Sequence, residues 1–387
     1  MRWIPAWLLT LLIVTLALAC EGKKEDAAVA TPSPAITATA TPQATANGKA
    51  TPSPAIQVTA TPRATPNGEA PATPEATRTP APITSGRIAF VSERDGNSEI
   101  YVMNPDGTGL TNVSNHPEFD GALTWSPDGT KIAFVSKRDG GLDIYRVNAD
   151  GTGLRRLTNT GVATYPDWSP ADEKIAFSSL RDGDNGICVM NADGSGQTQL
   201  TSGYRHYHPD WSPDGLQIAF ESGSRICLVN ADGTGLVNVS GDLGASSPAW
   251  SPDGSRLAFF TLGGDDYDIL TVKPDGTGLT RITDEATQGE DEFGWSPDGS
   301  TIAFDEGGPG VPRSDIYVVN VDGTGLKHLT PDSEADFMPT WSPDGTRIAF
   351  VSARGGNSEI YVMNADGTEQ ICVTNNPAED NFPFWSP

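Results

Sequence analysis

From Gly86 to the end of the chain, short apolar runs alternate with polar turns at a regular period. Each period carries four runs: a PxWSP segment, an IAFVS-like segment, a DIYVMN-like segment and a short GLxxLT segment. The runs are rich in β-branched and aromatic residues, and no useful stretch of helical period separates them. The pattern therefore predicts an all-β chain built from four-stranded units.

A tryptophan is the most regular landmark of this repeat, recurring at intervals of 39 to 46 residues. Its copies are Trp125, Trp168, Trp211, Trp250, Trp295, Trp341 and Trp385. Four-stranded units of this length are typical of propeller blades. Because large rings bury much apolar area, we expect this tryptophan ring to pack between blades, with a glycan-stacking platform as the alternative.

Two kinds of turn join the runs, SPDG after the first and NADGTG after the third. Pro and Asp suit the centre of a type I turn, and Gly accepts the left-handed conformation that follows it. We therefore expect antiparallel hairpins throughout, and we assign much of the chain's acidity to turn chemistry rather than to ligand binding.

The two ends of the repeat region complement each other. The first IAF-type segment, at Ile88, lacks a WSP segment before it, whereas Trp385 opens a unit that has no continuation. Trp385 follows Ile348 by 37 residues, the same separation as Trp125 from Ile88. We predict that residues 381–387 form the innermost strand of the first blade. The result is a seven-bladed β-propeller of four-stranded antiparallel blades, closed by the C-terminal strand.

The N-terminal 84 residues differ in composition from the repeats. Residues 1–20 predict a signal peptide, because one Arg precedes a short apolar run. Cys20 at its end resembles the lipidated cysteine of bacterial lipoproteins, and cleavage at Ala-x-Ala without lipidation is the alternative. Residues 21–84 form a Thr/Pro/Ala-rich tract that predicts a disordered linker, leaving residues 85–387 for the propeller.

The segment WSPDGTKIAFVSKRDGGLDIYRVNADGTGLRRLT (125–158) resembles the repeat of TolB-type propellers, distant relatives of the WD-repeat propellers. The resemblance covers about 300 residues in seven copies. It implies a propeller fold outside the cytoplasm. The chain departs from the family pattern, since TolB itself resembles a six-bladed ring preceded by a small α/β domain.

The acidic composition restricts the possible partners. The chain has 50 Asp and Glu against 25 Lys and Arg, a net charge of −25, and all of the negative excess lies in residues 85–387. Such a surface disfavours nucleic acid, because phosphate contacts require Lys and Arg. Five positions before the tryptophan, consecutive blades six, seven, one and two carry Glu290, Asp336, Asp380 and Asp120. We expect either an acidic arc that binds a basic partner or local roles at the start of each strand.

Blade four contains the histidines His206 and His208, two residues apart on an extended segment. Strict alternation would place both on one face, where they could bind a divalent metal, with Asp210 as a third ligand. Some propeller lyases related to this repeat use histidines and a metal in this way. The alternative is that neither histidine binds metal.

These observations favour a non-catalytic binding or scaffold protein, a monomer that presents loops to a protein or peptide partner at the cell envelope. It would contact the membrane only through a lipid anchor and would need no cofactor. A carbohydrate-active, metal-dependent lyase centred on His206 and His208 is the alternative function, and a surface structural module without a single ligand is a third.

Overall fold

The computed structural model describes residues 86–171, 173–181, 184–203, 205–261, 268–283, 293–307, 314–331 and 334–387. The predicted signal peptide with Cys20, the linker 21–84 and Glu290 lie outside these residues. In the described part of the chain every regular element is a β-strand. That part also contains no apolar helix with the length that a membrane span requires.

The four apolar runs of each repeat become the four strands of one blade. In the first half of the chain the strands are β1 (Ile88–Ser92), β2 (Glu99–Met103), β3 (Thr111–Asn112), β4 (Asp120–Trp125), β5 (Lys131–Ser136), β6 (Asp143–Asn148), β7 (Arg155–Arg156), β8 (Ala163–Trp168), β9 (Lys174–Arg181), β10 (Asp184–Asn191), β11 (Thr198–Gln199), β12 (His206–Trp211), β13 (Gln217–Ser222) and β14 (Ile226–Asn230).

In the second half they are β15 (Val237–Asn238), β16 (Ala245–Trp250), β17 (Leu257–Thr261), β18 (Ile269–Val272), β19 (Thr280–Arg281), β20 (Phe293–Trp295), β21 (Thr301–Gly307), β22 (Ser314–Asn320), β23 (Lys327–His328), β24 (Asp336–Trp341), β25 (Arg347–Ser352), β26 (Glu359–Asn364), β27 (Ile371–Cys372) and β28 (Asp380–Trp385).

These strands form seven four-stranded antiparallel sheets. Blades two to seven each contain four consecutive strands, starting with β4 and ending with β27. Blade one has the order β28-β1-β2-β3, so that the C-terminal strand pairs with the first strand of the ring, with Trp385 opposite Ile88. The predicted seven-bladed propeller closed by its C-terminal strand is therefore confirmed.

The hydrophobic core lies between blades rather than within them. Each blade contributes buried side chains to two clusters, one with each neighbour, and the cluster of blades seven and one completes the ring. The phenylalanine of every IAF segment is fully or almost fully buried there: Phe90, Phe134, Phe177, Phe220, Phe259, Phe304 and Phe350. Since a sheet must cover both faces, closing the ring is what buries the last of them.

The innermost strands share a bulge that the sequence did not reveal. In six blades the third residue of this strand has positive φ, between 48° and 57°, and pairing with the second strand shifts there. These residues are Ala122, Tyr165, His208, Ser247, Met338 and Phe382. A bulge adds one residue to one strand and re-aims the neighbouring side chains. It determines which residues point between blades and which stay partly exposed.

Candidate functional site

The aspartates that open the innermost strands are completely buried. Asp120, Asp336 and Asp380 each have 0% exposure. Each carboxylate forms an ion pair with an arginine that follows the second strand of its own blade. Arg94 lies 3.0 Å from Asp380, and its guanidinium also stacks on Phe90 and Tyr101. Arg138 and Arg354 repeat this arrangement in blades two and seven.

The predicted acidic arc therefore does not face solvent at its three described positions. Burial raises the pKa of Asp120, although hydrogen bonds from Ser136 and the nearby Arg138 charge partly offset it. A charge enclosed by its own arginine has little field left for a ligand. The geometry supports the local role that the sequence left open as the alternative.

His206 occupies the same place in blade four that these aspartates occupy in theirs. It is 4% exposed and lies opposite Ser222, as Asp120 lies opposite Ser136. Its Nδ1 is 2.8 Å from the Thr201 hydroxyl and its Nε2 is 3.1 Å from the Ser222 hydroxyl. Burial lowers the pKa of His206, which favours the neutral ring. Both nitrogens already have partners within the blade.

His208 points to different surroundings, and the expectation that both histidines share one face is wrong. The bulge at His208 breaks the alternation on which that expectation depended. The His206 ring packs on Phe220, whereas the His208 ring packs on Tyr165 at 4.1 Å. Within the described residues no group of three His, Cys, Asp or Glu side chains could hold a metal ion. Asp210, the predicted third ligand, binds a backbone N–H of the next blade instead.

The tryptophan ring lies at the blade interfaces. Trp125, Trp168, Trp211, Trp250 and Trp385 are buried, and Trp295 and Trp341 are half-buried. Three of the indole N–H groups donate to a carbonyl of the preceding innermost strand, as Trp125 does to Phe384 at 3.1 Å. These rings are placed to hold adjacent blades together rather than to stack a ligand.

Partly exposed aromatic side chains of the innermost strands of blades three and four meet an acidic side chain of β13, the second strand of blade four. We call Tyr165, Tyr207, His208 and Glu221 the channel cluster. The His208 Nδ1 is 3.0 Å from the Glu221 Oε1, and the two side chains are 33% and 12% exposed. Tyr165 and Tyr207, from adjacent blades, have ring centroids 6.1 Å apart.

Glu221 is held as an ionised carboxylate. Burial alone would raise the pKa of Glu221, but the nearby His208 and the Ser247 N–H, 2.7 Å away, together leave it below its ordinary value. Burial also raises the pKa of Tyr165, and the Glu221 charge adds to the increase. The Tyr165 hydroxyl oxygen is itself buried and lacks a hydrogen-bond partner among the described residues.

Two further carboxyl groups lie close together on the same strands. Asp167 Oδ2 accepts the backbone N–H of Trp211 at 2.8 Å, and Asp210 Oδ2 accepts that of Trp250 at 2.6 Å. Each therefore joins its blade to the next. Burial raises the pKa of Asp167 to about 7. Burial, and then the charge of Asp167, raise the pKa of Asp210 well above its ordinary value. We call these residues the carboxyl pair.

Sequence reasoning singled out His208 and Asp210, but as metal ligands, and it missed the other members of both groups because it treated each WSP segment as a structural repeat. A signal was available: TYPDW and HYHPDW are the only WSP segments with Asp directly before the tryptophan, and the only ones with tyrosine. Perturbed carboxyl groups beside partly exposed aromatic rings are a common feature of binding sites. Blades three and four are thus the candidate functional site.

Comparisons with known proteins agree with the fold. A 43-residue segment, about one repeat, is 54% identical to a protein named TolB homolog from Chlorobium luteolum, and it covers 11% of this chain and 10% of that protein. TolB from Acinetobacter baumannii is similar in structure, with a TM-score of 0.53 and 20% identity over 78% of this chain and 67% of that one.

Enzymes share the fold as well. An oligogalacturonate lyase from Vibrio parahaemolyticus has a TM-score of 0.59 and 17% identity, covering 72% of this chain and 86% of that one. At these identities the structural similarity concerns the fold alone. The TolB beta propeller domain family matches residues 70–245 and 294–387, which is more than half of the chain. The protein therefore belongs to the TolB beta propeller domain family.

Proposed function

We propose that this propeller is a non-catalytic binding scaffold outside the cytoplasm, and that it binds a protein or peptide partner through the inner strands of blades three and four. The observation that supports the proposal is that the innermost strands differ in sequence between blades. Blades seven, one and two keep the same buried Asp–Arg pair. Blades three and four replace it with Ala163 and His206, and they add the channel cluster and the carboxyl pair. Substitutions that a repeat does not need for packing are expected where it binds something.

The proposed location depends on the N-terminal sequence. A leader ending at Cys20 supports export and a lipid anchor, and the Thr/Pro-rich linker would hold the propeller away from the membrane. On this proposal the anchor is the only membrane contact, the protein is a monomer and its partner is not a nucleic acid. The mass of the mature protein tests the anchor, since lipidation at Cys20 adds acyl chains and an unmodified Cys20 would exclude it.

Affinity capture from an envelope fraction tests the binding function. The full chain should retain a specific protein, whereas a variant with Tyr207→Ala and His208→Ala should retain much less of it. A variant with Leu236→Ser and Leu279→Ser serves as the matched control, because both leucines are about half exposed on the outer turns of blades four and five. Capture that is equal for all three proteins would contradict the proposed binding face.

A carbohydrate-active enzyme is the second candidate. Its support is the fold shared with oligogalacturonate lyases, one of which was solved in complex with manganese, together with the partly exposed imidazole of His208. Metal analysis of the purified chain, followed by an activity screen on acidic polysaccharides, tests this candidate. Stoichiometric bound metal and eliminative cleavage that is lost in His208→Ala would favour the lyase over the scaffold.

A further inference from the structure

Within the described residues of blades three and four, Glu221 is held ionised and has a histidine, His208, rather than an arginine as its basic partner. None of the described innermost-strand residues is Lys or Arg. Asp120, Asp336 and Asp380 are matched by arginines of their own blades. Asp167, Asp210 and Glu221 have no Lys or Arg partner within the described part of the chain. A cation would therefore gain most from this side of the channel.

Two oxygen acceptors in the channel cluster have capacity to bind one more donor. Both hydrogen bonds to Glu221 fall on Oε1, from His208 and from the Ser247 N–H. This leaves Oε2 without a partner among the described residues. The Tyr165 hydroxyl is buried and likewise unpartnered. A buried hydroxyl without a hydrogen bond is costly, and it indicates a place that a ligand or water group can fill.

Aromatic rings border the same acceptors. Tyr165 lies edge-on to His208, with ring centroids 4.1 Å apart, and Tyr207 lies 6.1 Å from Tyr165. Aromatic faces attract ammonium and guanidinium groups, and they also cover the aliphatic stem that carries such a group. The described residues do not supply three protein ligands for a metal ion.

We propose that the channel cluster binds the ammonium group of a lysine side chain. This inference rests on the proposed binding function and specifies the chemistry of the partner: a lysine exposed on a loop or extended peptide. The ammonium has three N–H donors, which would bind Glu221 Oε2, the Tyr165 hydroxyl and water. The lysine stem would lie along Tyr207.

Calorimetric titration of the full chain with Nα-acetyl-lysine amide tests the proposal. Binding is expected, and the uncharged Nα-acetyl-norleucine amide should bind at least about tenfold more weakly, because it lacks the ammonium. Equal binding of the two amides would overturn the proposal. Calcium chloride is the third probe: calcium binding that Glu221→Gln abolishes, in the absence of lysine amide binding, would make the site a metal site and would also overturn it.

Tyr165→Phe is the most informative variant, because it removes only an unpartnered hydroxyl. It should melt at or above the wild-type temperature, since a buried unsatisfied group is lost, yet bind lysine amide about threefold or more weakly. Glu221→Gln should lose about tenfold or more. Asp275→Asn, which removes one charge in an outer turn of blade five, is the charge-matched control and should bind as wild type. Unchanged affinity in Tyr165→Phe and Glu221→Gln would refute the proposal.

Failure of this inference can be distinguished from failure of the proposed function. If an envelope partner is captured but neither lysine amide nor Glu221→Gln affects capture, the scaffold function holds and the lysine site does not. If lysine amide binds but no partner is retained, the site holds and the scaffold function does not.

Discussion

Whether a carboxyl group on an inner strand is structural or available for binding depends on what surrounds it. Asp380 has 0% exposure and forms an ion pair with Arg94 at 3.0 Å, so its charge stabilises the blade. Asp167 and Asp210 have only backbone N–H donors, and burial raises the pKa of each. An aspartate at the first position of an innermost strand therefore has an arginine partner. An aspartate directly before the tryptophan of such a strand has only backbone donors, and its pKa is raised.

The carboxyl pair predicts a specific dependence of stability on pH. A group whose folded pKa is raised stabilises the fold at low pH, and this contribution is lost as pH rises towards the folded pKa. For Asp167 the loss falls between about 4, the ordinary value, and about 7. Asp167→Asn keeps an acceptor for the Trp211 N–H and does not titrate. Its melting temperature should exceed that of the wild type increasingly from pH 5 to 7 and level off at pH 8. Thermal melts at four pH values check this, and a difference independent of pH would contradict it.

The buried ion pair predicts a large effect from removing one partner. Arg94→Met leaves Asp380 charged and enclosed, which should cost about 3–5 kcal/mol of unfolding free energy. Arg225→Met is the matched control, because Arg225 and Asp242 form a pair whose side chains are 54% and 94% exposed. It should change stability by less than about 0.5 kcal/mol. Urea unfolding of both variants measures the two costs, and equal effects would contradict the structural role of Asp380.

At the scale of the strand, the sequence predicts pairing better than side-chain direction. The period of two in each run, with SPDG and NADGTG turns between runs, was sufficient to predict four-stranded blades and the pairing of residues 381–387 with Ile88. The predicted side-chain directions were wrong on the innermost strand, because the apolar pattern does not show the bulge at its third residue. For this reason Asp120 and His206 are buried although their spacing suggested exposure.

A further sequence signal could have predicted that the aspartates are buried. In the three described blades that open on Asp, a Ser-x-Arg segment ends the second strand and supplies the buried partner, as Ser92 and Arg94 do for Asp380. By contrast, no periodic pattern could have shown that Tyr165 meets His208, since the two lie on different blades and come together only when the ring forms.

The closing strand predicts the effect of truncation. Deleting residues 381–387 removes Trp385 from the cluster of blades seven and one and leaves Ile88 at an unpaired sheet edge. The loss should exceed the cost of truncating one buried tryptophan, about 3–5 kcal/mol, because a whole strand and the ring closure are lost together. Thermal melting of the truncated chain measures it. Val237→Ser, on an exposed outer strand, is the control and should melt near the wild type. A truncated chain that also melts like the wild type would contradict closure by β28.

In the whole molecule, the side chains that stabilise the ring differ from those that we propose bind a partner. Seven inter-blade clusters hold it together, and the blades with the repeated Asp–Arg pair form one continuous side, from blade seven through blade two. Blades three and four depart from this pattern on their innermost strands. Variation there changes partly exposed surface with little effect on the core, which is how a repeat scaffold can acquire a ligand.

The central claim is that this protein binds its partner through the inner strands of blades three and four. The most direct test is the affinity of the captured partner for the wild-type chain, for the Tyr207→Ala, His208→Ala variant and for the Leu236→Ser, Leu279→Ser control, measured by surface plasmon resonance. The account predicts a loss of about tenfold or more for the first variant, measured at a temperature at which circular dichroism shows that it is folded, and wild-type affinity for the control. Wild-type affinity in the channel variant, or an equal loss in both, would contradict it.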